Sequence, residues 1–321
     1  MRVLVTGAAG FIGQAAVRHL ASAGHEVRAL VHRTRADFPS GVQVCRVDLT
    51  DGASLDAAVA GVEGVCHLAG VTRVRDSFTD PLRYYQVNVA GTVALLAALD
   101  RADRRARLMF ASTGAVYGSA AAQPISEEQP PHPENPYAGS KHAAEEAIRW
   151  QAATGRLGAV TLRAFNVAGA VDGLGDRDLT RLIPKLVAVS AGREPVVEIN
   201  GTGRAERGFL HVADFASAAE AALLACSPGQ YRVYNVSGTR ARVADVVRTA
   251  QEVCGKDIAV RHRPAGPEPA VVVGDSRRIQ TELGWQPQRS QLKQIIHDAW
   301  KAERAAPAIG QMPGNKGVHE E

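Results

Sequence analysis

Tyr137 and Lys141 stand four residues apart in the run Asn135-Pro136-Tyr137-Ala138-Gly139-Ser140-Lys141. That spacing puts a phenol and an ammonium on one face of a helix. Asparagine suits the cap before a helix and proline its first position, so a helix is expected to begin here with the phenol on its first turn. A phenol at its ordinary pKa of about 10 is a poor base at neutral pH, but a cation held beside it favours the phenolate. Two unit charges roughly 4 Å apart at an effective dielectric near 20 interact by about 4 kcal/mol, a ceiling of about three pKa units. The chemistry in view is removal of a proton from an alcohol.

The N-terminus carries the means to hold a partner for that base. Met1 to Val5 reads as a short apolar strand, and it runs into Thr6-Gly7-Ala8-Ala9-Gly10-Phe11-Ile12-Gly13 and an amphipathic stretch from Gln14 to Ala23. Gly7 allows a tight turn, Gly10 removes a side chain where backbone must approach a pyrophosphate, and Gly13 lets the helix lie close to the strand. A further strand at Glu26 to Val31 completes a dinucleotide-binding start.

The T-G-x-x-G-x-x-G spacing together with Y-x-x-x-K resembles the extended short-chain dehydrogenase/reductase family, in its nucleotide-sugar epimerase/dehydratase branch, from the first residue to about Pro287. The resemblance implies cofactor contacts at Gly7, Gly10, Phe11, Ile12 and Gly13 in the turn, and at Asp48 and Leu49 near the adenine. It implies others at Leu68, Ala69 and Gly70 under the cofactor, and at Asn88 in a run similar to the family's N-V-x-G-T helix. Phe110 to Gly118 resembles the strand end that presents a catalytic hydroxyl, here Thr113, beside Tyr137 as base and Lys141 as holder of the nicotinamide ribose. Arg163 to Gly169 resembles R-x-F-N-x-x-G, which makes Asn166 a substrate-diphosphate contact. Asn200 to Asp214 resembles the family's G-x-G-x-x-x-R-D-(F/Y)-(I/V)-H-V-x-D run, which gives Arg207 the same role, with Gly208 where an aspartate is usual. An arginine fork suits two phosphate oxygens. Arg263 is a second phosphate arginine, and His211, between apolar residues, reads as a packed structural histidine.

The activity implied is oxidation of a nucleotide sugar at C4 followed by reduction from its other face, a UDP-hexose 4-epimerase. Dehydratases of the 4,6 type resemble this chain but carry an Asp-Glu pair after the threonine, where Gly114-Ala115 stands here. A dehydratase with another base, such as a 5,6-elimination, stays open, as does an NADPH-dependent carbonyl reductase. A non-catalytic NAD(P)-binding regulator would not need the hydroxyl, phenol and lysine together. Val272 falls where epimerases gate the C2 substituent, and a small residue there leaves room for the acetamido group of UDP-GlcNAc. The second strand ends in Val31-His32-Arg33 rather than in an acid, so Arg33 could meet a 2′-phosphate and NADP stays open. NAD is favoured because the cofactor is recycled within each turnover.

Runs at Val3 to Val5, Val27 to Val31, Val42 to Val47, Gly64 to Leu68, Leu108 to Ser112 and Ala159 to Arg163 alternate with helical stretches. The expected architecture is α/β, a Rossmann-type doubly wound parallel sheet with a smaller C-terminal α/β substrate lobe. Residues 1–167 are expected to bind the dinucleotide, 168–304 to form mainly the lobe, and 305–321 a flexible tail. The chain of 321 residues is 45% apolar with a net charge of +4, and its arginines are scattered among acids, which argues against a nucleic-acid partner. Its four cysteines are far apart with no C-x-x-C pair, which argues against a metal site and a disulfide framework. No apolar run approaches a membrane span, and a soluble cytoplasmic protein is expected. Family likeness further implies a homodimer through Pro81 to Asp100 and Tyr137 to Ala153.

Overall fold

The computed structural model describes residues 1–102, 105–266 and 269–305, so the segment expected to form a tail lies, from residue 306 on, outside the described residues. In the first half, β1 (Arg2–Thr6), α1 (Phe11–Ser22), β2 (Glu26–Val31), β3 (Gln43–Arg46), α2 (Gly52–Val59) and β4 (Gly64–His67) are followed by α3 (Val74–Thr79) and α4 (Pro81–Tyr84). A π-helical stretch (Tyr85–Ala90) then leads through α5 (Gly91–Arg101) and β5 (Ala106–Thr113) to α6 (Pro136–Ala153) and β6 (Leu157–Ala164). In the second half, the short β7 (Val167–Ala168), β8 (Ala170–Val171) and β9 (Leu174–Gly175) precede α7 (Leu182–Ser190), β10 (Val197–Asn200), β11 (Glu206–His211), α8 (Val212–Ala225) and β12 (Tyr231–Val236). There follow β13 (Thr239–Arg242), α9 (Val243–Cys254), β14 (Val260–Arg263), β15 (Val271–Val272), α10 (Arg277–Leu283) and α11 (Leu292–Ala305).

The main sheet has seven parallel strands in the order β12-β6-β5-β4-β1-β2-β3. Successive residues of a strand face opposite ways, and β1 shows the effect. Val3 and Val5 join a core with Leu20 of α1 and Phe215 and Leu223 of α8, whereas Leu4 joins another with Leu55 of α2, Leu95 of α5 and Ile148 of α6. Each such fully buried aliphatic side chain contributes about 1.5–3 kcal/mol. A third core, with Ile183, Leu186, Phe209, Val246 and Ile295, fills the lobe. Three small sheets lie there among the described residues: β10 beside β14, β8 antiparallel to β9, and β11 between β13 and β15 with β7 also pairing β11.

All six expected strand runs are present, and the sheet gains a seventh from the lobe side of residue 167. Tyr231–Val236 pairs in register with Ala159–Ala164 of β6, so the chain crosses back into the dinucleotide sheet after β11. No helix among the described residues is long and apolar enough to cross a membrane.

The sheet reverses its winding between β1 and β4, which opens a crevice at their carboxyl ends. Gly7, with φ 66°, closes the turn after β1, and a Cβ there would stand 2.8 Å from the Ala69 backbone beyond β4. A Cβ on Gly13 would stand 2.1 Å from the Gly7 carbonyl oxygen, so α1 comes this near to β1 only without a side chain. Gly13→Ala is therefore expected to cost about 1–3 kcal/mol through forced backbone movement, read as a lowered urea midpoint.

Candidate active site

At the crevice, α1 starts from Gly10 with no side-chain cap, so the amides of its first turn, at Phe11, Ile12 and Gly13, have no side chain to receive them. A Cβ on Gly10 would have only the Gly7 oxygen, 3.2 Å away, within contact distance. Uncapped amides behind a surface bare of side chains fit a dinucleotide pyrophosphate.

The floor beneath is a hydrogen-bonded lattice. Thr92 Oγ1 donates to the Asn88 carbonyl at 2.6 Å, so it must accept from His67 Nε2–H at 2.9 Å, and His67 Nδ1 must accept from the Thr6 hydroxyl at 2.7 Å. The amides of Leu68 and Ala69 both donate to Thr6 Oγ1 at 3.1 Å. Burial drives the His67 pKa down to about 3, which keeps the imidazole neutral as this lattice requires. Asn88 accepts the Val71 amide at 2.9 Å and donates to Ser140 Oγ at 2.9 Å, and so ties the end of β4 to α6. Gly70 faces it closely, since a Cβ there would stand 2.8 Å from Asn88 Oδ1. Asp48 sits at the far end of the cradle, where hydrogen bonds from Thr50 hold its carboxyl below the usual range. Leu49 packs against Gly91, and Arg33 is exposed near Asp48.

Helix α6 begins as its sequence dictates, with Asn135 accepting the Ala138 amide at 2.9 Å and Pro136 in the first turn. Tyr137 is 8% exposed, its ring edge-on to Tyr84 at 6.2 Å, and the Thr113 hydroxyl acts on its phenol. Thr113 Oγ1 also accepts the Ala115 amide at 3.1 Å. The charge acting most on this phenol lies outside the Y-x-x-x-K pair. Burial raises the Tyr137 pKa, and the influences that oppose it are the Thr113 hydrogen bond and the charge of Arg181. Lys141 carries its Nζ 4.0 Å from the centre of the Phe110 ring, and burial pulls its pKa down to about 7 against the attraction of Glu145.

On the substrate side, Asn166 takes a left-handed turn at φ 23° and its Nδ2 donates to the Gly208 carbonyl at 3.0 Å. This brings it beside Arg207, which pairs in register with Val272 of β15 and Ala241 of β13. At Gly208, where an aspartate is usual, a Cβ would stand 2.1 Å from Ser237 Oγ, so a side chain there needs the Ser237 hydroxyl to turn aside. Arg263 lies apart from these on the β10–β14 sheet, opposite Asn200, with its guanidinium paired to Glu198. His211 is fully buried, accepts the Ala213 amide through Nδ1 at 3.0 Å and meets Asp298 through Nε2 at 3.2 Å, a structural arrangement. Phe165 fills the space beside the threonine: a Cβ on Gly114 would stand 2.5 Å from its ring, and Val272 packs against the same apolar cluster. An acidic side chain has no room at residue 114.

Sequence reasoning passed over three residues that act on the phenol or its neighbours. Arg181 caps α7 and meets Asp176 at 2.8 Å, while Asp178 lies between it and Arg73. Its signal is weak, one arginine in an arginine-rich stretch. Glu145 had a signal, the four-residue step from Tyr137 through Lys141 continued once more. Tyr84, whose hydroxyl donates to the Arg73 carbonyl, was hidden in a Tyr-Tyr pair.

The model of the family described as "NAD dependent epimerase/dehydratase family" matches residues 3–237. The chain is 36% identical to a UDP-glucose 4-epimerase of Streptomyces lividans, over 95% of this chain and 97% of that protein. It is similar to the crystal structure of a UDP-glucose-4-epimerase from Stenotrophomonas maltophila with bound NAD and formylated UDP-arabinopyranose, at a TM-score of 0.89, 29% identity, and 95% and 98% coverage. It is also similar to the UDP-Glc/GlcNAc 4-epimerase of Campylobacter jejuni, at a TM-score of 0.82, 29% identity, and 95% and 99% coverage.

Arg181 favours the phenolate, so removing its charge must raise the Tyr137 pKa further. Arg181→Leu is expected to move the ascending limb of the pH–activity profile to higher pH by about half a unit to one unit.

Proposed function

The chain belongs to the NAD dependent epimerase/dehydratase family, and from that premise we propose that it is a UDP-hexose 4-epimerase working with bound NAD. The observation that carries the choice within the family is the wall beside Thr113. Gly114 and Ala115 supply no acid, and Phe165 occupies the space one would need, while Thr113 at the end of β5 and Tyr137 and Lys141 on one face of α6 support the epimerase reading.

The first-turn amides of α1 would hold the pyrophosphate, Asp48 and Leu49 the adenine end, and Leu68, Ala69, Gly70 and Asn88 the floor below. Lys141 would hold the nicotinamide ribose. Bound NAD supplies a hydride acceptor and donor at sugar C4 and a positive charge beside the phenol. Tyr137 takes the proton of the C4 hydroxyl and later returns it, while Thr113 hydrogen-bonds the oxygen as it becomes a carbonyl. Asn166 and Arg207, joined through the Gly208 carbonyl, grip the diphosphate, with Arg263 as a second cation after release from Glu198. Held only there, the keto sugar can turn its other face before reduction. Val272 leaves room beside C2, which supports UDP-GlcNAc as a substrate alongside UDP-glucose.

We assign residues 1–167, with the returning β12, to the cofactor and most of 168–304 to the substrate lobe. Exposed Phe78, Leu82, Val93 and Trp150 on α3 to α6 support a homodimer through these helices, and the free thiols of Cys45, Cys66, Cys226 and Cys254 suit the cytoplasm.

Incubation with UDP-glucose is expected to give UDP-galactose at unchanged mass; a product lighter by one water overturns the epimerase reading in favour of elimination. Tyr137→Phe is expected to lower kcat by about a thousandfold while NAD stays bound. Val272→Tyr is expected to cut kcat/KM for UDP-GlcNAc by at least about tenfold and leave UDP-glucose within about threefold, measured in parallel assays.

A further inference from the structure

Glu145 is a carboxylate 1% exposed, one turn beyond Lys141 and two beyond Tyr137 on the same face of α6. Its oxygens are held from two strands. Arg163 of β6 forks onto them, Nε to Oε1 at 3.1 Å and Nη2 to Oε2 at 2.6 Å, and Ser112 of β5 donates its hydroxyl to Oε1. His142 Nδ1 lies 3.6 Å from Oε2. Arg163 is fixed in turn over the Tyr117 ring at 4.8 Å. A buried pair of this kind is weak evidence for stability, because both charges were taken out of water to make it. Its place directly behind Lys141 therefore calls for another account.

Lys141 is 5% exposed, and its surroundings offer the ammonium little. From β5 it meets the Phe110 ring, from β4 the neutral His67 lies near, and its Nζ comes close to where a Cβ on Gly70 would stand. Along α6 it meets Glu145, the anion that opposes the effect of burial. We propose that Glu145 is a positioning residue for Lys141: a carboxylate clamped by Ser112 and Arg163 whose field keeps the lysine an ammonium, with all its donors available to the nicotinamide ribose. The clamp matters as much as the charge. A free carboxylate would swing onto the lysine and draw it away from the cofactor; with both oxygens held by Ser112 and Arg163, it acts from a fixed distance.

The inference rests on the NAD-dependent reading, and its test separates the two. Wild type, Glu145→Gln and Glu145→Asp are passed through gel filtration at a series of pH values and their retained NAD is measured, beside pH profiles for UDP-glucose turnover. Glu145→Gln is expected to lose NAD, and the descending limb of its activity, about one pH unit lower than wild type, with KM for UDP-glucose within about twofold. Glu145→Asp keeps the charge and is expected to restore the wild-type midpoint. An unchanged midpoint in the Gln variant, or equal loss in Gln and Asp at every pH, overturns the proposal. Should the Gln variant fail to fold, Glu145→Gln combined with Arg163→Met removes both charges of the clamp together and is expected to shift the midpoint in the same acid direction by less; no shift in it overturns the proposal. A wild type that holds NAD without epimerising UDP-glucose sinks the epimerase reading alone, since NAD retention still decides the role of Glu145; one that holds no NAD overturns both.

Discussion

The alignment of α6 along β5 is the constraint on which the rest of this molecule depends. Tyr137 faces Thr113, Lys141 meets Phe110 and Glu145 meets Ser112, so one helix face is keyed to one strand by a hydroxyl acting on a phenol, a cation over a ring, and a hydroxyl on a carboxylate. Asn88 adds a lateral tie through Ser140, whose hydroxyl also donates to the Tyr137 carbonyl. The reactive phenol is thus placed by a rigid pair of elements rather than by a loop, and its surroundings are desolvated before any ligand arrives. Water exclusion has a cost here: burial alone leaves the phenol too weak an acid and the lysine too weak a base for their roles. The nearby charges of Arg181 and Glu145 each offset part of that cost.

Much of the fold was legible because the relevant signals are local. Apolar strand runs alternate with helical stretches, and the glycines at residues 7 and 13 sit where backbones touch at distances no Cβ permits. The helix start at Asn135 was legible for the same reason, since cap and first-turn proline are read within four residues. The seventh strand was not, because Tyr231–Val236 pairs with a strand some seventy residues earlier, and nothing near it in sequence says so.

At the site, residue types were easier to read than directions. Spacing placed Tyr137 and Lys141 on one face, yet spacing does not say which way a long flexible side chain runs, and the Lys141 Nζ lies over the Phe110 ring. The roles of Gly114 and Gly208 were likewise invisible from their own positions. A Cβ at Gly114 would enter the Phe165 ring and one at Gly208 would meet the Ser237 hydroxyl, contacts made by residues far away in sequence.

The return of β12 to the sheet has a consequence for how such chains can be recombined. A fragment ending at residue 167 would leave the β6 rim, from Leu157 to Ala164, as a bare and almost wholly buried-type apolar border, the kind of template on which foreign strands assemble. The lobe therefore seals the cofactor layer as well as lining the sugar pocket. Any swap of specificity between relatives that exchanges the C-terminal half as a block must carry its own sealing strand, matched side chain for side chain to the recipient's β6.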